Sequence, residues 1–286
     1  MDMALLEVRN LTKKYKKFTL RDISFDLPAG YILGYIGRNG AGKTTTLNAV
    51  THLIRPDGGS VTVDGLSFSE DPVAYRDSIG YIGDSSYFPT AMTSRDIRTI
   101  LRDFYPSFDP DSFDGYVEKW ELPEKEKISS YSRGMKVKLM FAAALSRKTK
   151  LLILDEATNG LDPMMRREIL RILQEYIADG TKSVLFSTHI LEDLQDIADY
   201  VFLIEKGEMV FCEAKDDLLE SYLLVKGGRE ELTASLEDRL IGVERNEYGF
   251  KALFRTDDGD ILPVGLAAEK PTIDQIVVHT LEGRKS

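Results

Sequence analysis

The sequence predicts an α/β fold with a mostly parallel sheet, and three observations support this prediction. First, a glycine-rich stretch at residues 37–44, Gly-Arg-Asn-Gly-Ala-Gly-Lys-Thr, lies between an apolar run and the start of a helical pattern. Second, the run Leu151–Leu154 is entirely apolar, as is typical of a strand covered on both faces. Third, strand-like and helical segments alternate between residues 151 and 204. Alternation of this kind indicates parallel strands joined by helices.

The N-terminal part of the chain consists of short apolar runs separated by turn signals, which predicts strands. The predicted strands and turns are Leu5–Leu11, Leu20–Phe25, Tyr31–Ile36 and Ser60–Asp64, with turns at Pro28–Gly30 and Pro56–Gly59. Residues 91–146 change to helical spacing and are interrupted by Pro106, Pro110 and Pro123. We therefore expect a helical insertion within the α/β domain.

The alternation continues beyond residue 154. The next predicted elements are a helix at Met164–Ile177, a strand at Ser183–Phe186, a helix at Ile190–Ile197 and a strand at Val201–Ile204. The pattern weakens after Tyr222, where Gly227-Gly228 and Asp257–Asp260 mark turns between short strand-like pieces. These features predict one domain over residues 1–222 and a small α+β appendage over residues 223–286.

Composition and charge argue against several classes of protein. Of the 286 residues, 43% are hydrophobic and 29% are charged, and the net charge of −10 argues against a nucleic-acid-binding surface. The basic run Lys13–Lys17 is then most simply a solvated face. Cys212 is the only cysteine, which excludes an intrachain disulfide and fits a reducing cytoplasm. The sequence shows no signal-peptide pattern and no run of about 18 apolar residues, so we expect any membrane role to need a partner.

The stretch 37–44 has the residues of a phosphate-binding loop. Its position between strand and helix aims backbone N–H groups and the positive end of a helix dipole at one point. Gly37, Gly40 and Gly42 let the backbone wrap around phosphates without Cβ clashes. Lys43 is placed to reach the β- and γ-phosphates, and the hydroxyl of Thr44 to ligate Mg²⁺. An ordinary turn is the alternative, but the frame and the Lys-Thr pair favour a nucleoside triphosphate site.

Two acidic residues follow the apolar strand, at the sheet edge where open α/β sheets bind ligands. We predict that Asp155 holds Mg²⁺, through water or the Thr44 hydroxyl, and that Glu156 orients and deprotonates the attacking water. Two carboxylates in a solvated turn are the alternative, which the upstream phosphate loop disfavours. His189 follows the next strand at the same edge, as either a structural hydrogen-bonding residue or a donor to the γ-phosphate.

The segment Tyr131-Ser-Arg-Gly-Met135 precedes an amphipathic helix. Its simplest interpretation is a helix start with Ser132 as the N-cap. The same helix end also suits an anion. Because one site cannot easily use two separate phosphate-binding helix ends of a single chain, we expect Ser132 and Gly134 to face the γ-phosphate bound by a second protomer.

These elements, in this order, resemble the nucleotide-binding cassette of ABC transporters. Residues 37–44 resemble its Walker A loop, and Leu151–Glu156 resembles its Walker B strand with the catalytic glutamate. Tyr131–Met135 resembles the signature motif, in a variant common among drug and peptide exporter ATPases. Asn159–Asp162 resembles the D-loop, and His189 the switch histidine.

The resemblance covers about residues 4–220 and implies an ABC cassette fold. Such a fold has a mostly parallel core sheet, an antiparallel β subdomain and a helical subdomain, here at about residues 91–146. The implied nucleotide-binding residues are Tyr15, which stacks on adenine, and Gly37, Asn39, Gly40, Ala41, Gly42, Lys43, Thr44 and Thr45. The implied catalytic residues are Lys43, Glu156 and His189, with Asp162 in the D-loop.

The resemblance implies an ATP-hydrolysing subunit that drives export of a peptide, drug or toxin, with ATP and Mg²⁺ as cofactors. The implied partners are an integral membrane permease at the cytoplasmic face and a second ATPase subunit, either a copy of this chain or a relative. A soluble ABC ATPase acting on ribosomes or DNA is an alternative, but such proteins usually carry two cassettes or long coiled coils. A non-hydrolysing scaffold is disfavoured by the presence of Lys43, Asp155, Glu156 and His189.

One position departs from the family pattern. Members usually carry a glutamine, which senses Mg²⁺, after a strand of the form Ile-Gly-Tyr-x-x, whereas Ile79-Gly-Tyr-Ile-Gly83 is followed here by Asp84. A carboxylate is a better ligand for Mg²⁺ than an amide. Asp84 is therefore either a metal-sensing residue in place of glutamine or a plain turn residue.

Overall fold

A computed structural model describes residues 4–256 and 265–284 of the chain. The predicted turn at Asp257–Asp260 lies outside the described residues. The strands, in chain order, are β1 (Ala4–Lys14), β2 (Thr19–Pro28), β3 (Ile32–Gly37), β4 (Gly58–Val63), β5 (Leu66–Ser67), β6 (Ile79–Gly83), β7 (Leu151–Asp155), β8 (Ser183–Ser187), β9 (Tyr200–Glu205), β10 (Glu208–Ala214), β11 (Tyr222–Gly227), β12 (Leu240–Arg245), β13 (Phe250–Arg255) and β14 (Ala267–Glu269). The helices are α1 (Lys43–Val50), α2 (Pro72–Asp77), α3 (Ser94–Phe104), α4 (Pro110–Lys119), α5 (Arg133–Leu145), α6 (Pro163–Ile177), α7 (Leu191–Ile197), α8 (Lys215–Glu220), α9 (Ala234–Glu237) and α10 (Ile273–Gly283).

The central sheet has the strand order β10-β9-β3-β8-β7-β6. Strands β9, β3, β8, β7 and β6 pair in parallel, and β10 is added antiparallel at one edge. Every residue of β7 and of β8 is buried. The predicted parallel sheet is therefore confirmed, and the strand that ends at Asp155 is buried along its whole length.

The two faces of this sheet are covered by different layers, because successive side chains of a strand point to opposite faces. In β7, Leu151 and Ile153 pack in a core that also contains side chains from α1 and the antiparallel sheet β2-β1-β4-β5. Leu152 and Leu154 pack in the core that contains side chains from α5 and α6. The mixed sheet and helix layers agree with the ABC cassette fold predicted from the motifs.

The helical region contains α3, α4 and α5, as the spacing predicted. Its last helix packs against both α4 and strand β6 of the parallel sheet. Val137, Met140 and Phe141 of α5 are fully or almost fully buried in the core shared with the sheet. The start of α5 and the end of β6 are consequently held in one packed unit.

The turn predicted at Pro56–Gly59 is wrong at its end, because β4 begins at Gly58 rather than at Ser60. Gly59 has a φ of +87°, and a Cβ there would lie 2.4 Å from the carbonyl oxygen of Arg9. The glycine thus permits a close approach to β1 inside a paired strand, which is a known use of glycine in sheets.

The edge strand β10 was not predicted from the sequence. It follows a two-residue turn in which Lys206 and Gly207 have φ values of 50° and 84°. Two consecutive positive φ values are typical of the tight turn that joins antiparallel neighbours. The Lys-Gly dipeptide is a weaker turn signal than Asn-Gly, which explains why the sequence pattern did not reveal the hairpin.

The C-terminal appendage contains a third sheet with the order β12-β13-β11-β14. One face of this sheet buries Val225, Phe250 and Phe254 in a small core of its own. On the other face, Leu224 and Leu253 belong to the large core together with Ile276 of α10. Helix α10 also packs against α7 of the nucleotide-binding part. The described appendage is therefore continuous with the main hydrophobic core.

Candidate functional site

Several loops meet at the carboxyl edge of the parallel sheet. Strand pairing places Gly83 beside Asp155, and Asp155 beside Ser187. It also places Tyr35, near the end of β3, beside Ser187. The residues that follow these strands therefore emerge at one edge, as expected for an open α/β sheet.

A cavity of about 760 Å³ opens at this edge. Its lining residues are Tyr15, Lys17, Phe18, Arg38, Asn39, Gly40, Gly42, Lys43, Thr44, Thr45, Asp84, Asp155 and Glu156. The structure thus brings together most of the predicted nucleotide-binding residues with both predicted acidic residues and Asp84. Lys17, Phe18 and Arg38 also line the cavity, although they were not predicted to bind nucleotide. For Lys17 and Phe18, the available signal was a basic run next to an aromatic residue.

The glycine-rich loop turns directly into α1, as predicted. Gly40 and Gly42 have φ values of +79° and +120°, in the region that favours glycine. Gly37 and Ala41 lie on the side of the loop that packs against the protein core. A Cβ on Gly37 would lie 2.6 Å from the carbonyl oxygen of Ile204, and Ala41 is buried against the core. The loop is therefore held tightly by its own sheet.

Lys43 is buried, and its ammonium group points back over the loop. Its Nζ donates a hydrogen bond of 2.7 Å to the carbonyl oxygen of Gly37. The same Nζ lies 3.3 Å from Oε1 of Glu156. A buried cation paired in this way is a point charge that anionic phosphates can engage.

Asp155 is buried at the end of β7. The Tyr81 hydroxyl lies 3.4 Å from its Oδ2, and the Thr44 side chain is a further neighbour. Burial is the largest influence and raises the pKa of the carboxyl above its ordinary value. Its Oδ1 is buried without a hydrogen-bond partner among the described residues. An unpaired carboxylate oxygen beside a threonine hydroxyl suits a hard cation such as Mg²⁺, which would offset the cost of the buried charge.

Glu156 has a left-handed backbone, with a φ of 54°. Its N–H donates a 2.9 Å hydrogen bond to the carbonyl oxygen of Ser187. The amide of Asn159 donates a 2.8 Å hydrogen bond to Oε2 of Glu156, and Nδ1 of His189 lies 3.6 Å from the same oxygen. With Lys43 on its other oxygen, the carboxylate is held from three sides at the cavity wall. Strained backbone that is fixed in this manner is often found at functional sites.

Tyr15 lies at the mouth of the cavity with 47% of its surface exposed. Its ring centroid is 6.4 Å from that of Phe18. An exposed aromatic ring beside a phosphate loop offers a surface on which a purine can stack. Its predicted contact with adenine stays a prediction.

Ser132, Gly134 and Asp162 line a different cavity, of about 370 Å³. The Ser132 hydroxyl accepts a hydrogen bond from the N–H of Met135, so it caps α5 as predicted. Asp162 caps α6 by accepting 3.0 Å hydrogen bonds from the N–H groups of Met164 and Met165. Their contact with a nucleotide held by another protomer remains a prediction.

Asp84 lines the nucleotide cavity, but its carboxylate is paired with the guanidinium of Arg133. This ion pair was not predicted from the sequence. Tyr81 and Asn159 contact the two acidic residues, and neither contact was predicted from the sequence. The available signal for Tyr81 was the Ile-Gly-Tyr pattern of β6. The Tyr81 ring packs close to Gly83, where an added Cβ would lie 3.2 Å from a ring carbon.

A parallel sheet with a phosphate-binding loop, a buried lysine and two acidic residues at its carboxyl edge defines a P-loop nucleoside triphosphatase. The ABC transporter family profile matches residues 20–159. An uncharacterized ABC transporter ATP-binding protein of Bacillus subtilis, YdbJ, is 33% identical over 98% of each chain. The chain therefore belongs to the ABC transporter ATP-binding proteins and is an ATPase subunit.

Other relatives and solved structures agree with this assignment. The bacitracin transport ATP-binding protein BcrA of Enterococcus faecalis is 34% identical over 72% of this chain and 68% of its own. A solved ATP-binding subunit of an ABC transporter is 26% identical, with a TM-score of 0.69 over 76% of this chain and 92% of its own. A dimeric ATP-binding cassette solved with ADP and Pi shares the fold, with a TM-score of 0.65 at 21% identity, over 73% of this chain and 98% of its own.

Subunits of this family dimerise and work with membrane permease components. In the part of the chain described here, every helix is too short or too polar to traverse a bilayer.

Proposed function

We propose that this chain is the ATP-hydrolysing subunit of an exporter and that the cavity at the sheet edge is its active site. The convergence of Lys43, Asp155 and Glu156 on one cavity supports this proposal most directly. Lys43 contacts the β- and γ-phosphates of ATP, and Tyr15 stacks on the adenine. Asn39, Gly40, Gly42, Thr44 and Thr45 contact the phosphates from the loop, and Gly37 and Ala41 keep the loop in place.

Thr44 and Asp155 hold Mg²⁺ in this proposal, and Asp84, which lines the same cavity, is a further candidate ligand. The ion would neutralise charge that develops on the phosphates. Glu156 orients the attacking water and accepts its proton. His189 is not among the residues that line the cavity, but its 57% exposed side chain lies beside Glu156 and contacts the γ-phosphate in this proposal.

A second ATPase subunit completes the site. Ser132 and Gly134 at the start of α5 contact the γ-phosphate bound by the other protomer, and Asp162 lies between the two sites. Their location on a cavity separate from the chain's own nucleotide cavity supports this arrangement. The second subunit is a copy of this chain or a related chain.

The names of relatives support a peptide or drug as cargo. They include bacitracin transport, lantibiotic transport and linearmycin resistance ATP-binding proteins. We infer that a separate permease carries the cargo and holds this chain at the cytoplasmic face of the membrane. Residues 1–222 form the ATPase domain and residues 223–286 the accessory domain. A nucleic-acid partner is disfavoured by the net charge of −10.

Purified wild-type chain is expected to bind and hydrolyse MgATP, and Lys43→Ala is expected to lose most of that binding. Removing a charged hydrogen-bond donor should weaken ATP binding by about 10- to 100-fold. Equilibrium binding of a fluorescent ATP analogue measures this loss. Lys16→Ala changes an exposed lysine outside the cavity and serves as the control. Equal affinity in both variants would contradict a phosphate contact by Lys43.

An apolar groove marks the expected docking site of the permease. Segment 84–116 follows the Asp84 position and is rich in aromatic residues, and Tyr87 and Tyr105 of that segment border a cavity of about 300 Å³. Leu53 and Arg147 lie on the same cavity, and the guanidinium of Arg147 is 3.9 Å from the ring centroid of Tyr105. Exposed aromatic and arginine side chains are typical anchors of protein interfaces.

Most of the other aromatic residues of segment 84–116 fill the core. Phe88, Phe108 and Phe113 are buried, whereas Tyr87 and Phe104 are 51% and 74% exposed. Tyr87→Cys, in a chain with Cys212→Ala, is therefore expected to cross-link to the permease in the isolated membrane complex. Tyr248→Cys, on the appendage and 89% exposed, is the matched control. Cross-links from residues 223–286 alone would overturn this docking site.

A further inference from the structure

The ion pair between Asp84 and Arg133 joins the nucleotide cavity to the start of α5, which the proposed function assigns to the partner's nucleotide. Asp84 lies on the nucleotide cavity and on a neighbouring cavity of about 300 Å³. Arg133 lies on that neighbouring cavity and on the cavity of Ser132 and Gly134. The two charged groups are 49 residues apart in sequence, so only the fold brings them together.

Arg133 is poorly placed for stabilising its own helix. The first turn of α5 carries the cations Arg133 and Lys136, although the start of a helix has a partial positive charge and favours anions. The guanidinium also lies about 3.7 Å from where a Cβ on Gly160 would be, in the loop that leads to Asp162. This position suggests a role in the active site rather than in helix stability.

The charged residues that line the nucleotide cavity show how the ion pair changes the charge available to a cation there. The cationic lining residues are Lys17, Arg38 and Lys43, and the anionic ones are Asp84, Asp155 and Glu156. Of the three carboxylates, Asp84 is the one whose charge is compensated by a cation from α5. A carboxylate that already faces a guanidinium attracts another cation less strongly, because the two charges partly cancel.

We propose that Arg133 is a positioning residue that competes with Mg²⁺ for Asp84, and that MgATP binding breaks the Asp84–Arg133 ion pair. The freed guanidinium then adds positive charge beside Ser132, at the helix end that faces the partner's nucleotide. Metal loading in one site thereby prepares the other site for closure. This inference rests on the proposed function, in which Ser132 acts across the dimer.

The proposal predicts that one substitution shifts two properties in opposite directions. Arg133→Gln should lower the Mg²⁺ concentration needed for half-maximal binding of an ATP analogue by about two- to fivefold, the range expected for an exposed ion pair. The shift should decrease at high salt, because salt screens exposed charges. The same substitution should weaken ATP-dependent dimerisation, since the released cation is missing. Arg133→Lys, which keeps the charge, should restore dimerisation at least in part.

Binding is measured by fluorescence on dilute, monomeric protein, and dimerisation by sedimentation in a Glu156→Gln background that prevents turnover. Arg98→Gln is the matched control, because it removes a similarly exposed ion pair with Asp114 away from the cavity. The double variant Asp84→Asn with Arg133→Gln should have the same Mg²⁺ midpoint as Asp84→Asn alone, since the competitor no longer matters without its carboxylate.

The outcomes separate this inference from the proposed function. If the wild-type chain binds no MgATP, the proposed function fails. If it binds MgATP but Arg133→Gln and Arg98→Gln have the same Mg²⁺ midpoint, the ion pair is only structural and the inference is overturned. A higher Mg²⁺ requirement in Arg133→Gln, or additive shifts in the double variant, would overturn it as well.

Discussion

Glu156→Gln is expected to reduce ATP turnover by at least about 100-fold while ATP binding is retained. The glutamine keeps the shape of the side chain and can still bond to Asn159, which donates to Oε2 at 2.8 Å. It cannot accept a proton from water, so the chemical step loses its general base. Lys43 and Asp155 remain in place for the phosphates and Mg²⁺, and the ATP-bound dimer should therefore accumulate.

Steady-state phosphate release measures the loss of turnover, and sedimentation in MgATP measures the trapped dimer. Glu124→Gln is the control, because Glu124 is an exposed carboxylate that pairs with Arg95 in the helical region. Turnover by Glu156→Gln close to that of the control would remove Glu156 from its catalytic role. Loss of ATP binding would instead show that Glu156 is needed to hold Lys43, from which it lies 3.3 Å away.

Ser132→Arg is expected to stop hydrolysis while the nucleotide affinity of the monomer stays nearly unchanged. Ser132 lies outside the chain's own nucleotide cavity, so its replacement should not disturb that cavity. A bulky cation at the start of α5 should prevent the close approach of the partner's phosphates. Because Ser132 also caps the helix through the N–H of Met135, Ser132→Ala is the matched control. Loss of that cap alone costs about 1 kcal/mol and should not block the dimer sterically.

Mixing Ser132→Arg with Lys43→Ala should restore activity, because the mixed dimer contains one intact site. That site combines Lys43 of the first chain with Ser132 of the second. Random pairing yields half mixed dimers with one working site of two, so about a quarter of the wild-type rate is expected. Fluorescence energy transfer between labelled chains confirms subunit exchange. If mixed dimers form and remain inactive, a composite site with independently working halves is excluded.

Local patterns were sufficient to predict much of the fold. The strand before the phosphate loop and the strand 151–154 were predicted because buried parallel strands are short apolar runs, and the loop itself was predicted because a glycine-rich stretch ending in Lys-Thr between strand and helix favours phosphate binding. The helix start at Ser132 was predicted from its capping residue, and the structure confirms that cap. The errors arose where local signals are ambiguous. Gly59 was interpreted as a turn residue although it lies in a strand, and Lys206-Gly207 was too weak a signal for the hairpin.

The contacts around the predicted residues could not be read from the sequence. Tyr81 meets Asp155 across 74 positions, and Arg133 meets Asp84 across 49. The first contact depends on the register between β6 and β7, and the second on the packing of α5 against β6. Neither the strand register nor the helix packing can be read from the spacing of residues along the chain.

The sequence by itself determined the fold class, the phosphate-binding loop and the pair Asp155–Glu156, because these depend on short-range backbone preferences and on motifs within a few residues. Only the tertiary structure decided that Asp155 keeps a buried oxygen without a partner among the described residues, that Glu156 is held by Asn159 and Lys43, and that the appendage shares the main core through α10. These features depend on burial and on which distant side chains meet. Those are properties of the packed chain as a whole, set by the mutual arrangement of its sheets and helices.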